Sequence, residues 1–232
     1  YSIDSALARK EPMDHILFYG PPGTGKTTIS QIISYEMHSN IRCVNGATIE
    51  KPSEIVTILT NLKKNDILFI DEIHRLPLCV EEILYSAMED FKIDVLISGK
   101  EENKIMTIRL SKFTLVGATT LLGHISKPLQ TRFSIIERLD YYKIDELNNI
   151  LFKVAEGCNL KLIKDGAIEI SKRSRNTPRI AINFLKRIRD FCLIKKISVI
   201  NASVVLEVFD MLDIDSIGQN KDERTYIKLL AY

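Results

Sequence analysis

The stretch GPPGTGKTT, residues 20–28, limits what this chain can fold into more than any other. It follows the apolar run HILFY and precedes the amphipathic run KTTISQIISYEMH, so its glycines and prolines separate a strand pattern from a helix pattern. It fits G-x-x-x-x-G-K-[ST] at Gly20, Gly25, Lys26 and Thr27. In that context the glycines let backbone N–H groups turn inward around phosphate oxygens, and the helix N-terminus adds a favourable dipole. Lys26 is then expected to reach the β- and γ-phosphates of a nucleoside triphosphate. The Thr27 hydroxyl is expected to ligate Mg²⁺.

A second run, ILFIDE, completes this chemistry. Asp71 ends an unbroken apolar strand pattern, at the carboxyl end where open α/β sheets bind ligands. It is expected to hold Mg²⁺, and Glu72 to orient or deprotonate an attacking water. A glutamate there favours hydrolysis over transfer to a bound acceptor. GATT, 117–120, carries the hydroxyls of Thr119 and Thr120 to the end of a further strand. One of them could read the γ-phosphate. Arg132 in KPLQTRFS and Arg179 in NTPRIA are candidate cations for charge developing on the phosphoryl group, a role worth roughly 10³–10⁵ in rate.

The first ~140 residues alternate short apolar runs with amphipathic ones, the pattern of a parallel α/β domain. Strands are expected at 15–19, 41–45, 66–70, 113–120 and 134–139, and helices after residue 26, after Pro52 and at 79–91. The first helix should bury Ile29, Ile32 and Ile33, and the second Ile55, Ile58, Leu59 and Leu62. KIDVLIS, 92–98, and KIMTIRL, 104–110, joined by GKEEN, read as a hairpin inserted before the fourth strand. From about residue 143 to 215 the pattern is helical only, with Pro178 in a first turn and Asn201 as an N-cap. The basic segment KRIRDF, 186–191, could touch phosphates, but a solvated charged face is the preferred reading.

Composition narrows the class. The 232 residues carry a net charge of only +2, so no dominant basic surface is implied. No apolar run reaches the ~18 residues that span a bilayer. Cys43, Cys79, Cys158 and Cys192 lie far apart, without metal-ligand or disulfide-framework spacing. A reduced, cytoplasmic protein without a transition metal is the expectation.

Taken in order, GPPGTGKT, FIDEIHRL, LVGATT, LQTRF and NTPRIA resemble an AAA+ ATPase. With EKPSEIVTILTNL, VEEILYSAMEDF and the hairpin, the chain more closely resembles the RuvB family of branch-migration motors, over essentially its full length. That resemblance implies an AAA+ domain at 1–142 with the hairpin at 92–110, a small helical lid at 143–215, and the start of a truncated winged-helix domain at 216–232. It implies that Gly23, Lys26, Thr27 and Thr28 bind phosphates and Mg²⁺. Asp71 and Glu72 would be the Mg²⁺ carboxylate and water activator, and Thr120 the first sensor. Arg179 would be the second sensor, and Arg132 an arginine finger acting on the neighbouring subunit's nucleotide. Tyr142 would lie near the adenine, with Glu89, Asp90 and Phe91 as further nucleotide contacts.

The implied activity is ATP hydrolysis driving branch migration of four-way junction DNA in recombination and repair. The implied assembly is a homohexamer, partnered by RuvA at the hairpin and by RuvC in the resolving complex. The chain departs from the family's pattern at Gln130, where an arginine is usual. From the resemblance, most of an N-terminal segment that contacts the adenine is expected to be missing from the sequence given. The alternative is a nucleotide-switched assembly module of clamp-loader type, which the QTRF stretch disfavours. A small-molecule P-loop kinase is disfavoured by Glu72 and by the second domain.

Overall fold

Strand-forming runs without polar alternation require cover on both faces, and the first unit supplies it. The computed structural model describes residues 1–98 and 103–230. It divides into two compact units, one of residues 1–22 and 26–139, the other of residues 23–25 and 140–232.

The first unit begins with α1 (Ser2–Arg9), which the sequence patterns do not announce. Then come β1 (Ile16–Tyr19), α2 (Lys26–Glu36), β2 (Ile41–Asn45), α3 (Pro52–Thr60), β3 (Ile67–Asp71) and α4 (Leu78–Glu89). The hairpin strands β4 (Lys92–Ser98) and β5 (Asn103–Arg109) follow, then β6 (Thr114–Thr119), α5 (Lys127–Gln130) and β7 (Ile135–Arg138). Strands β2, β3, β6, β1 and β7 form one parallel sheet in that order.

Side chains along each central strand alternate between two cores. Leu17, Leu68, Ile70 and Leu115 face a core shared with Ile55, Leu59, Val80 and Leu84 of α3 and α4. Ile16, Phe18, Ile67, Phe69, Val116 and Ala118 face another, with Ala6 of α1 and Ile33 of α2. Both cores are apolar, which is why the strands read as unbroken hydrophobic runs. The expected stripe is buried, with Ile55, Ile58 and Leu59 on α3 and Leu62 just past its end. On α2 the expected stripe is narrower, because Ile32 is 53% exposed while Ile33 is buried.

In the hairpin, Lys92 pairs with Arg109 and Ile93 with Ile108. Its base packs onto the α3–α4 core through Ile93, Val95, Ile108 and Leu110, whereas Ile105 and Met106 are exposed. The connecting GKEEN falls largely outside the described residues.

The second unit contains α6 (Ile144–Gly157), β8 (Lys161–Leu162), α7 (Lys164–Arg173), α8 (Pro178–Lys195), β9 (Val199–Ile200), α9 (Ala202–Met211) and α10 (Lys221–Leu230). Leu147, Leu151, Ile170, Leu185, Ile188, Val205 and Phe209 fill its core. Pro178 sits in the first turn of α8. The Asn201 side chain accepts a hydrogen bond from the Val204 N–H at 3.0 Å, capping α9. The expectation of helices alone is corrected by one short parallel pair, β8 with β9. It forms because β-branched Val199 and Ile200 lead into the cap in extended conformation.

Candidate active site

The phosphate loop leaves β1 at Gly20, whose φ of +140° and surroundings exclude any side chain. A Cβ there would stand 2.1 Å from the Leu139 carbonyl oxygen. Gly23 and Gly25 also have positive φ, at +78° and +101°. Between loop and helix, Lys26 is buried, and its ammonium donates to the carbonyls of Gly20 at 2.9 Å and Pro21 at 2.8 Å. The cation is therefore held on the loop itself. Thr27 is half-buried and Thr28 exposed in the first turn of α2. Such a glycine cradle, with a buried lysine and a helix N-terminus, suits a polyphosphate. The oxygen donors Thr27 and Asp71 suit Mg²⁺, a hard cation that prefers oxygen.

Neighbouring strands bring the next residues to the same sheet edge. Tyr19 of β1 is in register with Thr119 of β6, and Asn45 of β2 with Asp71 of β3. Because the sheet is parallel, the carboxyl ends of β1, β3 and β6 lie side by side. They carry the phosphate loop, the Asp71–Glu72 pair and the Thr119–Thr120 pair. The Glu72 N–H donates to its neighbour's carboxylate, Asp71 Oδ1, at 3.0 Å. Glu72 has left-handed backbone, φ 50°, and leads into a 3₁₀ turn over Ile73–Arg75.

Sequence reasoning passed over two residues here. Gly46 packs against this turn so closely that a Cβ would lie 2.5 Å from the Glu72 carbonyl oxygen. The Asn-Gly at 45–46 was the available signal. His74 lies between the two strand ends, its Nδ1 3.3 Å from Glu72 Oε2 and 2.9 Å from Thr119 Oγ1. It stands inside the DEIHRL run that the family reading used without giving it a role. Of the two threonines, Thr119 is fully buried and accepts the Leu121 N–H at 2.9 Å, whereas Thr120 is half-buried.

Arg132 and Glu89 come together elsewhere in the first unit. The guanidinium lies 3.2 Å from Glu89 Oε2, donates to the Pro128 carbonyl at 2.7 Å, and stacks 4.4 Å above the Tyr85 ring. The Tyr85 hydroxyl is 2.9 Å from Ser126 Oγ, the group that caps α5 just before Arg132. Three contacts thus hold the arginine against its own subunit. Gln130, in the position where the family pattern usually has arginine, donates instead to the Leu122 and Ile125 carbonyls at 3.1 and 2.8 Å. Asp90 pairs with Lys92. Phe91 belongs to an aromatic group with His15 and Phe113, at centroid distances of 6.3 and 5.8 Å.

In the second unit the loop tip, Gly23–Gly25, associates with Tyr142 and the start of α8. The Tyr142 hydroxyl donates to the Thr24 carbonyl at 3.2 Å. A Cβ on Gly23 would meet Thr177 Cγ2 at 2.8 Å and Arg179 Cβ at 3.0 Å, so glycine permits that approach. The exposed Arg179 follows two left-handed residues, Arg175 and Asn176.

The four cysteines are free thiols, and among the described residues no helix is long and apolar enough to cross a membrane.

Comparison with known proteins bears on this arrangement. Residues 1–139 match the family model of the Holliday junction DNA helicase RuvB P-loop domain, and residues 142–215 that of the RuvB AAA lid domain. Over 229 residues the chain is 47% identical to the Holliday junction branch migration complex subunit RuvB of Orientia tsutsugamushi, strain Ikeda. That alignment covers 99% of this chain and 70% of the relative. Among solved structures, the Thermotoga maritima RuvB Holliday junction branch migration motor superposes with a TM-score of 0.87 at 41% identity, covering 99% of this chain and 72% of that one. A point mutant of the same protein gives 0.90 at 42%, with 99% and 73% covered. Sequence and fold agree along nearly the whole chain, and the chain belongs to the RuvB family.

Proposed function

We propose that this chain is an ATP-hydrolysing motor subunit that drives branch migration of four-way junction DNA. RuvA is its partner at the β4–β5 hairpin, RuvC joins the resolving complex, and the working assembly is a homohexamer in the cytoplasm. The observation that carries the reading is the parallel sheet edge, where a buried lysine on a glycine loop stands beside an Asp-Glu strand end and a threonine strand end.

Lys26 and the loop N–H groups, with Thr28, bind the triphosphate, and Tyr142 lies towards the base. Thr27 and Asp71 hold Mg²⁺, which when bound neutralises charge on the phosphate oxygens. Glu72 takes a proton from the attacking water, and Thr120 orients that water against the terminal phosphate. Arg179 answers the γ-phosphate. Arg132 faces a neighbouring subunit's nucleotide and stabilises charge that develops in the transition state, with Glu89, Asp90 and Phe91 as further nucleotide contacts.

Two variants test the chemistry. Lys26→Ala should abolish binding of a fluorescent ATP analogue. Glu72→Gln should keep that binding and lose about a hundredfold or more in hydrolysis, the scale of general-base catalysis. Hydrolysis by Glu72→Gln at the wild-type rate would remove the base from the reading.

A further inference from the structure

The imidazole of His74 spans the ends of two strands that carry proposed catalytic groups. Its side chain is 10% exposed, against 34% for Glu72. On one side lies the Glu72 carboxylate, 3.3 Å from Nδ1, and on the other the Thr119 hydroxyl, 2.9 Å from the same nitrogen. An ionised carboxylate can only accept. The Thr119 oxygen already accepts the Leu121 N–H at 2.9 Å, and a hydroxyl oxygen can accept a second hydrogen bond. A proton on Nδ1 can donate to Thr119 Oγ1 and at the same time turn an N–H edge, not a lone pair, toward Glu72 Oε2, which stands at ion-pair distance. The opposite tautomer would set a nitrogen lone pair against the carboxylate.

Backbone geometry makes such a tie useful. Glu72 has left-handed φ and leaves the sheet at the end of β3, so its direction is not set by strand pairing. Thr119 is the last residue of β6, is fully buried, and immediately precedes Thr120. We propose that His74 is the positioning residue for Glu72, fixing the carboxylate's direction and linking it to the β6 end through Thr119. This rests on the reading of Glu72 as the base. A displacement of the γ-phosphate side at Thr119–Thr120 would then reach the base through one ring nitrogen.

The test is a series at one site. His74→Ala should lower kcat by about tenfold to a hundredfold, the range for losing a group that orients a catalytic residue. KM, affinity for a fluorescent ATP analogue, and melting temperature should stay near wild type. His74→Asn, whose amide N–H can stand near Nδ1, should recover most of the loss. Nitrogen NMR of the histidines should show the His74 proton on Nδ1, and Glu72→Gln should move that resonance. A wild-type kcat for His74→Ala, parallel losses in kcat and binding, no difference between Asn and Ala, or a bare Nδ1 would each overturn the proposal. Failure of the underlying reading is separable: there, Glu72→Gln itself would hydrolyse ATP normally. With the base confirmed by that control, an unaffected His74→Ala counts against the tie alone.

Discussion

His15 shows how a single residue joins the sheet to the helix beside it. The Leu115 N–H donates to its Nδ1 at 2.8 Å, and its Nε2 lies 3.1 Å from the Met88 carbonyl. Nδ1 must be bare to accept, so Nε2 carries the proton and donates. The ring is buried, and loss of hydration holds its pKa below the usual histidine range. The Met88 hydrogen bond and the Asp14 charge oppose that shift only partly. Because the folded state binds the proton less readily than the unfolded state, this contribution to stability is complete above the ordinary value of about 6.5. It falls away as pH drops below that value, towards the lowered folded value. Wild type should therefore lose denaturation midpoint between pH 7 and pH 5 more steeply than His15→Gln, whose amide can meet both backbone groups without charging. Equal slopes in urea titrations at the two pH values would contradict this. His15 was a scattered histidine in the sequence, because its partners are 73 and 100 residues away.

Among the elements, the hairpin divides into a core part and a surface part within one strand pair. Ile93 is 1% exposed on the α3–α4 core, whereas Ile105 is 70% exposed. Ile93→Ala should cost about 2–5 kcal/mol, as for other large-to-small core changes. Ile105→Ser should leave the melting temperature within about a degree or two, since exposed positions are near neutral. If the hairpin is the RuvA contact, the same Ile105→Ser should weaken RuvA binding in calorimetry, and unchanged affinity would move the contact elsewhere. The hairpin itself was legible in sequence, but which of its residues meet the core was not. That depends on α3 and α4, which lie outside the strand pattern. The parallel sheet was legible for a physical reason, since strands covered on both faces must read as ILFI and TLVGA. Helix α1 was not expected from the sequence, although its apolar residues gather on one face and bury Ala6. The phosphate loop and Asp71–Glu72 were legible because their chemistry is local in sequence. His74, Gly46 and the Tyr85 platform beneath Arg132 depend on contacts made only in the fold.

At the scale of the whole molecule, the proposed motor depends most on Arg132. Its guanidinium is held on its own subunit by Glu89, Pro128 and Tyr85, and the proposed motor requires it to serve a neighbour's nucleotide. Glu89 is 58% exposed, so water screens its pair with the 19% exposed Arg132, but the Pro128 hydrogen bond and the Tyr85 stacking must also be given up before the guanidinium can serve a neighbour. The most direct measurement is steady-state ATP hydrolysis with RuvA and synthetic four-way junction DNA, using Arg132→Ala, Glu72→Gln and an equimolar mixture. RuvA and junction should raise the wild-type rate, and each variant alone should be inactive. In the mixture an intact finger on one subunit completes an intact base on the next, so activity returns. A mixture as inactive as its components, or a wild-type rate indifferent to RuvA and DNA, would contradict the proposed motor.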